Sequence, residues 1–480
     1  MTTTQPIADS RPAEHRPDIR HRSLWLQEVL PDAPPEPPLA GAQRADVAII
    51  GGGFVGLWTA IRIKQHDPGC DVVVLEQDIC GGGASGRNGG MVLSWWPKLA
   101  SLVSLCGAEE AVRLGRASEA SIEELRVFCA AHGIDCHFRR GGLLWTATTP
   151  AQVGAWDGVV TLTQRLGVEV FERIADDEVT RRTGSAAHLA GVLEQKAATV
   201  QPAALARGLR RVALELGVRI YEGSRVASFT RERPLAIRTA DGALLAAEKL
   251  IVAMNAWAAA LPELRHSLMV LSSDIVATAP IPERLQEIGW TGGEGITDSQ
   301  VMVNYYRTTD DGRIAFGKGT AGLPYGGRIG SGFDRSSRRS AMVAAEFRRS
   351  YPALAGVPLE HDWGGPIDRT SNSVPIFGRL GGRDHILYGV GWSGNGVGPS
   401  VLGSRILASL ALEIDDQWSH AQLVDRPHQR FPPEPLRYVG GQLVRRAVIR
   451  KEAAERARRR PAKLAVQLAK LAPAGLEDKG

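Results

Sequence analysis

Residues 45–91 constrain this chain most, because their segments follow the order of a nucleotide-binding strand–helix–strand unit. An apolar, β-branched run over residues 46–50 predicts a buried parallel strand. The pattern then predicts a helix over 57–65, ended by the proline and glycine at 68–69. A second buried strand is predicted over 71–75.

The loop between the first strand and the helix carries G-x-G-x-x-G, formed by Gly51, Gly53 and Gly56. The first glycine permits a tight turn, the second lets the backbone approach a pyrophosphate, and the third lets helix and strand pack closely. The N-terminus of the helix that follows offers unpaired N–H groups to the phosphates. Phe54 and Val55, within the motif, are further candidate cofactor residues.

An acidic residue ends the second strand. Glu76, followed by Gln77, stands about twenty residues beyond the glycine motif, where a carboxylate can accept hydrogen bonds from an adenosine ribose. Glycine-rich turns are common, so the motif alone is weak evidence. Here strand, helix, second strand and spaced acid occur together, and the sequence therefore predicts a dinucleotide site.

Residues 81–90 form a second glycine-rich segment, and a nicotinamide site does not need one. Glycines allow positive φ, so successive N–H groups can point into one concavity and hold an anion. Arg87 and Asn88 are expected to add donors beside it. The alternative is a flexible surface loop. The candidate cofactor residues here are Gly83, Ala84, Ser85, Arg87, Asn88, Gly89, Gly90 and Met91.

With these motifs the sequence resembles the D-amino-acid oxidase superfamily of flavoproteins, in particular its γ-glutamylputrescine oxidase-like, glycine/D-amino-acid oxidase branch. The resemblance rests on residues 51–56, Glu76 and residues 85–90. In that family the second glycine loop lies against FAD, so FAD is implied rather than NAD. The implied fold is α/β, with a Rossmann-like FAD-binding domain of the glutathione-reductase type and an inserted antiparallel-sheet substrate domain.

The resemblance assigns three later segments to the cofactor. A valine backbone lies against the adenine, a third nucleotide-side segment ends the strand at 249–254, and a final glycine loop faces the flavin pyrimidine edge. N–H groups in that last loop would stabilise the anionic reduced flavin. Without the resemblance, the first two segments read as a core residue and an ordinary strand. The residues concerned are Val226, Asn255, Ala256, Trp257, Gly394, Asn395, Gly396 and Val397.

The resemblance also implies the domain boundaries. The FAD-binding domain is expected at 41–140, 191–262 and 361–432, and the substrate domain at 141–190 and 263–360. Residues 1–40 are expected to be a mostly flexible, proline-rich arm that docks onto the body through residues 23–26. Residues 433–480 are expected to be a basic helical tail.

Strand-like pieces over 268–277 and 301–308, with a hairpin turn at 310–311, predict an antiparallel sheet. The resemblance implies that this sheet roofs the flavin. The candidate catalytic residues on it are Tyr305, Arg307 and Lys318. Strand alternation puts Tyr305 and Arg307 on one face and Tyr306 on the other. Lys318 is a candidate for binding an anionic substrate group or for favouring reaction with O2. The alternative for each is packing or a solvated charge.

The implied reaction is oxidation of a carbon–nitrogen bond in a small amine or amino acid, by hydride transfer to flavin N5 with O2 as the acceptor. Arg307, Arg313 and Lys318 favour a substrate that also bears an anionic group, such as an N-alkyl amino acid or an aminophosphonate. Two alternatives stay open: a flavin amine dehydrogenase that uses a quinone or an electron-transfer protein, and a non-enzymatic flavin-binding module.

Non-covalent FAD is expected. Some relatives attach the flavin through a cysteine in the C-terminal half or a histidine near the second glycine loop. This chain has no cysteine after Cys136 and no histidine between His66 and His132. Polyamine-type relatives often have a histidine where this chain has Asn395, so their substrate is not carried over.

The remaining sequence features favour a reduced, cytoplasmic enzyme. The five cysteines lack C-x-x-C spacing, which indicates free thiols and no metal site. Neither a membrane span nor a signal peptide is predicted, because no apolar run is long enough for one and the N-terminus lacks an h-region.

Residues 437–463 carry ten Lys or Arg and two Glu, a net charge of +8, whereas the whole chain has +5. The rest of the chain therefore totals −3, and no nucleic-acid partner is predicted for the body. The tail is either a contact for a membrane surface or RNA, or a solvated helix packed through Leu443, Val444 and Val448.

Overall fold

The computed structural model describes residues 5–7, 22–31 and 34–473. Its strands are β1 (Gln5–Pro6), β2 (Ala42–Ile50), β3 (Val72–Leu75), β4 (Met91–Val92), β5 (Leu143–Ala147), β6 (Phe171–Ile174), β7 (Ala190–Glu194), β8 (Ala198–Thr199), β9 (Arg219–Tyr221), β10 (Val226–Phe229), β11 (Leu235–Thr239), β12 (Leu244–Val252), β13 (Met269–Thr278), β14 (Gly295–Asp298), β15 (Asn304–Thr308), β16 (Ile314–Lys318), β17 (Leu359–Arg369), β18 (Ile376–Arg379) and β19 (Ile386–Val390).

The helices are α1 (Leu24–Val29), α2 (Phe54–His66), α3 (Leu99–Ala131), α4 (Asp157–Arg165), α5 (Asp176–Thr183), α6 (Pro202–Glu215), α7 (Pro282–Glu287), α8 (Ser337–Ser350), α9 (Pro399–Leu412), α10 (Leu436–Arg456) and α11 (Lys463–Ala469). In the described part of the chain, none of them is long and apolar enough to cross a lipid bilayer.

The first sheet has nine strands and a parallel centre. Its order is β1-β10-β11-β12-β2-β3-β9, and β19 lies parallel to β12 with β18 beside it. Ile50 at the end of β2 lies between Leu75 and Val252. Helices α2, α6 and α9 pack on one face through a shared apolar core. This centre brings together strands from three separated parts of the sequence and confirms the predicted fold class.

The second sheet has eight strands in the order β17-β13-β16-β15-β14-β5-β7-β6. All neighbours are antiparallel except β14 and β5. The predicted hairpin is present, with Thr308 opposite Ile314.

Two expected domain boundaries differ from the strand pairing. Residues 361–369 and 191–194 were assigned to the FAD-binding domain, but β17 pairs along its length with β13, and β7 pairs with β5. Both segments therefore belong to the second sheet. The backbone N–H and C=O groups of both segments form hydrogen bonds with the neighbouring strands β13 and β5, and these bonds hold β17 and β7 in the second sheet along their whole length.

Part of the expected N-terminal arm is packed onto the body. Trp25 and Leu26 of α1 are buried in an apolar cluster with Trp363. The Ser23 hydroxyl donates to the carbonyl oxygen of Gly86 at 2.5 Å, and Trp25 Nε1 donates to Asn88 O at 2.9 Å. Docking of residues 23–26 is thus observed, and it occurs on the second glycine segment. The arm's residues 1–4, 8–21 and 32–33 lie outside the described residues.

Apolar residues recur at helical spacing over residues 108–132 and predict a helix there, but the observed helix begins before this stretch. Helix α3 starts at Leu99 and contains a break at Gly107, where φ is +75°. A positive φ interrupts the helical hydrogen-bond pattern and is adopted most easily by glycine. Gly107 therefore separates a short first segment from the periodic stretch that the sequence pattern detects.

Candidate functional site

A continuous cavity of about 800 Å³ is lined by residues of both sheets and of the C-terminal helices. Most of the predicted cofactor residues line it: Gly51, Gly53, Phe54, Val55, Glu76, Gln77, Gly83, Ala84, Ser85, Arg87, Asn88, Gly89, Met91, Val226, Asn255, Trp257, Gly394, Asn395, Gly396 and Val397. Gly56, Gly90 and Ala256 are not among the lining residues. Of the three candidate catalytic residues, Tyr305 lines the cavity, whereas Arg307 and Lys318 do not.

The first glycine motif has little room for side chains. At Gly51, φ is +112°, and an added Cβ would lie 2.5 Å from the carbonyl oxygen of Ala253. At Gly53 a Cβ would lie 2.9 Å from Ser85 Oγ, and at Gly56 it would overlap the carbonyl oxygen of Gly51. Gly56 therefore serves helix–strand packing, and Gly53 allows Ser85 to approach the turn closely.

The second glycine segment is held in shape by its own side chains. Ser85 Oγ accepts from the N–H of Phe54 at 2.8 Å and joins the two glycine segments. Asn88 Nδ2 donates to Ala84 O at 3.0 Å, while its Oδ1 accepts from Gly90 N at 2.7 Å. The Asn88 amide therefore supports the loop instead of pointing donors at an anion.

Arg87 is also engaged outside the expected anion site. Its Nε donates to Gly82 O at 2.8 Å, and its guanidinium forms an ion pair with Asp334. These contacts use side-chain N–H groups of Arg87 that were expected to bind an anion. Backbone N–H groups remain the predicted anion ligands of this segment.

Glu76 lies at the end of β3, as the motif predicts. One carboxylate oxygen accepts from Gly52 N at 2.7 Å and the other from Asp78 N at 2.9 Å. Burial raises the pKa of Glu76 to about 7. A carboxylate fixed in this way can still accept hydrogen bonds from ribose hydroxyls through its remaining lone pairs.

Arg307 lies behind the second glycine segment. Its Nε donates to Gly89 O at 2.8 Å and its Nη2 to Val200 O at 2.6 Å. The guanidinium carbon lies 4.9 Å from the ring centre of Trp25. Burial lowers the pKa of Arg307 to about 10, so the group remains cationic at neutral pH. Its donors hold the cofactor loop, and this placement argues against direct contact with a substrate.

Lys318 lies inside a buried polar cluster. Its Nζ donates to Met302 O at 2.7 Å and to Asn304 Oδ1 at 3.1 Å, and it lies 3.9 Å from a carboxylate oxygen of Glu346. The side chain is 3% exposed. Lys318 therefore lies in the protein interior and does not line the cavity.

Tyr305 and Tyr306 point to opposite sides of β15, as alternation predicts. The Tyr305 ring packs against Gly89, and its hydroxyl lies 2.7 Å from Ser273 Oγ, which also lines the cavity. Burial raises the pKa of Tyr305, so it is a neutral hydroxyl. Tyr306 stacks on Phe316 in the core.

Asp368 connects two parts of the site that lie far apart in sequence. Its Oδ2 accepts from Gly391 N at 2.6 Å, and its Oδ1 accepts from Trp392 N and from Asn255 Nδ2, each at 3.0 Å. Burial raises the pKa of Asp368 to about 7. Sequence reasoning missed this residue, because its backbone partners Gly391 and Trp392 stand 23 and 24 positions further along the chain.

Asn395 has one engaged and one unengaged polar atom. Its Nδ2 donates to Ser94 O at 2.9 Å. Its Oδ1 is buried and has no hydrogen-bond partner among the described residues. A buried acceptor in this position costs free energy unless a bound group donates to it, so Asn395 fits a ligand that presents an N–H at this loop.

The cavity has a positive charge balance, but it is carried by residues other than Arg307, Arg313 and Lys318, from which the sequence predicted it. Its lining bases are Lys98, Arg87, Arg225, Arg369, Arg437 and Arg445, and its lining acids are Glu76 and Asp368. Arg369 Nη2 donates to Ser393 O at 3.1 Å, and burial lowers its pKa to about 10. Arg369 directly follows Asp368 at the end of β17.

These features fit FAD. Gly53, at the start of α2, has no side chain to cap the helix, and Ser85 Oγ accepts only the N–H of Phe54, which leaves the N–H groups of Val55 and Gly56 for a pyrophosphate. Glu76 lies near the expected ribose position, and Asn395 Oδ1 can accept from the N–H edge of a flavin.

Comparison with known proteins agrees with this geometry. The γ-glutamylputrescine oxidoreductase of Escherichia coli K12 is 30% identical over 390 residues, covering 81% of this chain and 88% of that protein. The probable oxidoreductase OrdL of Haemophilus influenzae is 27% identical over 396 residues, covering 80% of this chain and 86% of that protein. Glycine oxidase from Geobacillus kaustophilus superposes with a TM-score of 0.64 at 22% identity, covering 80% of this chain and all of that one.

The family model described as FAD dependent oxidoreductase matches residues 46–410, which is more than half of the sequence. The predicted resemblance and the predicted cofactor are thereby confirmed. The chain belongs to the FAD-dependent oxidoreductase family and is an FAD-dependent oxidase or dehydrogenase.

Proposed function

We propose that this enzyme oxidises the carbon–nitrogen bond of a small amine that also carries a carboxylate or another oxyanion. When bound, FAD supplies the hydride acceptor at N5. The observation that carries the proposal is the charge of the cavity, which is lined by six basic side chains and two acids. Two of the six bases, Arg87 and Arg437, form ion pairs with Asp334 and Glu434 outside the lining, so an excess of positive charge remains. Apart from Arg87 in the second glycine segment and Arg225, the lining bases are Lys98, Arg369, Arg437 and Arg445.

Arg369 is the proposed anchor for the anionic group. It follows Asp368, which holds the flavin-side loop through Gly391 and Trp392, so a substrate bound to Arg369 lies beside that loop. Arginine binds carboxylate and phosphonate oxygens with paired, charge-assisted hydrogen bonds. This assignment moves the predicted anion recognition from Arg307 and Lys318 to a residue that lines the cavity.

The remaining lining residues position the substrate. Met269, Leu271 and Ile367 supply apolar surface that excludes water from the reacting carbon. Tyr305 and Ser273 form a neutral hydroxyl pair at the same wall. Asp368 spends both carboxylate oxygens on N–H groups and is therefore a positioning residue. An amine bound in its uncharged form is then ready to lose hydride without a strong base.

Reduction of flavin under anaerobic conditions tests the substrate class. We expect amines with an oxyanion to bleach the flavin band, and matched amines without it to do so at least tenfold less efficiently. Arg369→Met should lower the apparent affinity for the anionic member by roughly 10- to 100-fold, the loss of a charge-assisted hydrogen bond. Arg335→Met is the control, because Arg335 pairs with Asp362 and does not line the cavity. A preference for diamines in the wild type contradicts the proposal.

We propose O2 as the electron acceptor, with the dehydrogenase that feeds a quinone or an electron-transfer protein as the competing possibility. One hydrogen peroxide per substrate oxidised supports the oxidase. Rapid dye reduction with little peroxide supports the dehydrogenase. Membership of an oxidoreductase family weighs against a purely flavin-binding module.

We further propose that FAD is held without a covalent bond. Among the described residues that line the cavity there is neither a cysteine nor a histidine. Acid precipitation of the holoenzyme should therefore release the flavin into the supernatant. Flavin that stays with the precipitated protein would contradict this.

A further inference from the structure

The C-terminal helices form a wall of the cavity. Leu443, Val444 and Val448 of α10 and Leu471 after α11 line it together with Met302 and Leu323 of the second-sheet region. These C-terminal residues lie outside the region, residues 46–410, that the family model matches. The predicted basic tail is therefore a part of the site, and its contribution to the cavity is mainly apolar.

Buried polar contacts fix this wall to the body. Glu452 Oε1 accepts from Met302 N at 2.9 Å, and Arg456 Nη1 lies 3.0 Å from a carboxylate oxygen of Glu346. Arg445 Nε donates to Thr320 O at 3.1 Å. Helix α10 is thus anchored to the same segments that carry the facing side of the cavity, and the wall has a defined position.

The wall leaves aliphatic surface in contact with solvent. Leu443 is 49% exposed and Leu471 is 70% exposed, although both line the cavity. Burying such surface against an apolar ligand is favourable. Val439 at 53% and Leu464 at 71% are equally exposed on the same two helices but do not line the cavity. The two pairs of residues have similar exposure, but only Leu443 and Leu471 line the cavity.

We propose that the C-terminal wall, defined by Leu443, Val444, Val448 and Leu471, is a binding subsite for an extended apolar group. Arg445 at its edge and Arg369 deeper in the cavity suit an anion on the same ligand. The apolar group has two possible sources, an N-alkyl or side-chain substituent of the amine substrate and the hydrophobic tail of an electron acceptor. The first source rests on the proposed function, whereas the binding surface itself does not.

Calorimetric titration of the oxidised holoenzyme with straight-chain carboxylates, from acetate to decanoate, tests the subsite without turnover. We expect Kd to fall by about fourfold for each added methylene, the usual gain for burying a CH2 group, until the subsite is full. Leu443→Gln and Leu471→Gln should reduce this chain-length gain severalfold. Val439→Gln and Leu464→Gln are the matched controls and should retain it. Affinity that does not depend on chain length, or equal losses in the control variants, overturns the proposal.

Separate half-reactions identify the source of the apolar group. Anaerobic flavin reduction by N-alkyl amino acids of increasing chain length reports on the substrate, and reoxidation by quinones of increasing tail length reports on the acceptor. A chain-length gain that Leu443→Gln removes in one arm assigns the subsite to that ligand. No gain in either arm overturns a functional role. Because the calorimetric test needs no amine oxidation, failure of the proposed function would leave its result intact.

Discussion

Arg307 donates from Nε to the carbonyl oxygen of Gly89 at 2.8 Å, so a strand of the second sheet holds the second glycine segment of the cofactor site. The same guanidinium donates to Val200 O and packs against Trp25, whose indole N–H donates to Asn88 O. The N-terminal helix, the second sheet and the cofactor loop are therefore linked through one buried arginine.

We expect Arg307→Met to weaken FAD binding. Loss of the two carbonyl contacts leaves buried acceptors unpaired, which costs ~1–3 kcal/mol and corresponds to roughly a 10- to 100-fold rise in Kd. Fluorescence titration of the apoprotein with FAD measures this. Arg313→Met is the control on the same hairpin, since Arg313 pairs with Asp311 and Glu360 at the surface. Unchanged FAD affinity with a raised KM for anionic substrates would instead make Arg307 a substrate ligand.

We expect Lys318→Met to destabilise the fold without changing substrate preference. Lys318 lies in a cluster with Asp298, Glu346 and Glu452, and it favours the ionised form of each. Removing one member of a buried charge cluster costs ~3–5 kcal/mol. Denaturant unfolding of the holoenzyme measures the loss.

The exposed Lys463 supplies the control for this prediction, as Lys463→Met removes an equal charge from α11. Because Glu452 also anchors α10 to Met302, we expect faster proteolysis of the C-terminal helices in Lys318→Met. Wild-type stability combined with a slower reaction with O2 would restore the catalytic role that the sequence pattern predicts for this lysine.

The cofactor half of the site was predictable because its constraints act at single positions. Gly51 has a φ that favours glycine, and Gly56 leaves no room for a Cβ, so each residue type follows from local geometry. Glu76 directly follows β3, at the position that the spacing of the βαβ unit predicts. Sequence spacing and structure therefore coincide there.

The substrate half was not predictable because its constraints are nonlocal. Alternation correctly separates Tyr305 from Tyr306, but it does not show that the Gly89 loop covers the face carrying Arg307. Asp368 accepts a hydrogen bond from Asn255, which is 113 positions away. The C-terminal wall contributes through tertiary packing of a helix whose sequence is merely basic and amphipathic.

We expect Glu194→Gln to remove part of the pH dependence of stability. Glu194 Oε1 accepts from Ser94 Oγ at 2.6 Å, its Oε2 has no partner among the described residues, and burial raises its pKa from 4.5 to about 7. The folded state therefore holds a proton that the unfolded state loses above pH 4.5. The resulting stabilisation, ~3 kcal/mol, is present below pH 4.5 and is lost as pH rises to 7.

Denaturant unfolding of the apoprotein at pH 5, 6, 7 and 8 measures this slope. The wild type should lose stability with rising pH more steeply than Glu194→Gln, because a neutral amide cannot ionise. Equal slopes in the two proteins would show that Glu194 is already ionised in the folded state at pH 5.

We expect the affinity for FAD to rise with pH through pH 7, because of Glu76. Burial raises its pKa to about 7 in the apoprotein, so half of the molecules carry a protonated carboxyl at that pH. Ribose hydroxyls donate to the ionised form, so binding releases a proton and strengthens as pH rises, levelling above about pH 8. Glu76→Gln should flatten the profile and weaken binding at pH 8 by on the order of tenfold, the loss of a hydrogen bond to a charged group.

Glu194→Gln is the matched control, since the carboxyl of Glu194 has a similar pKa but does not line the cavity, and this variant should keep the wild-type profile. Affinity that falls with rising pH in the wild type, or a slope retained in Glu76→Gln, would exclude Glu76 as the ribose ligand.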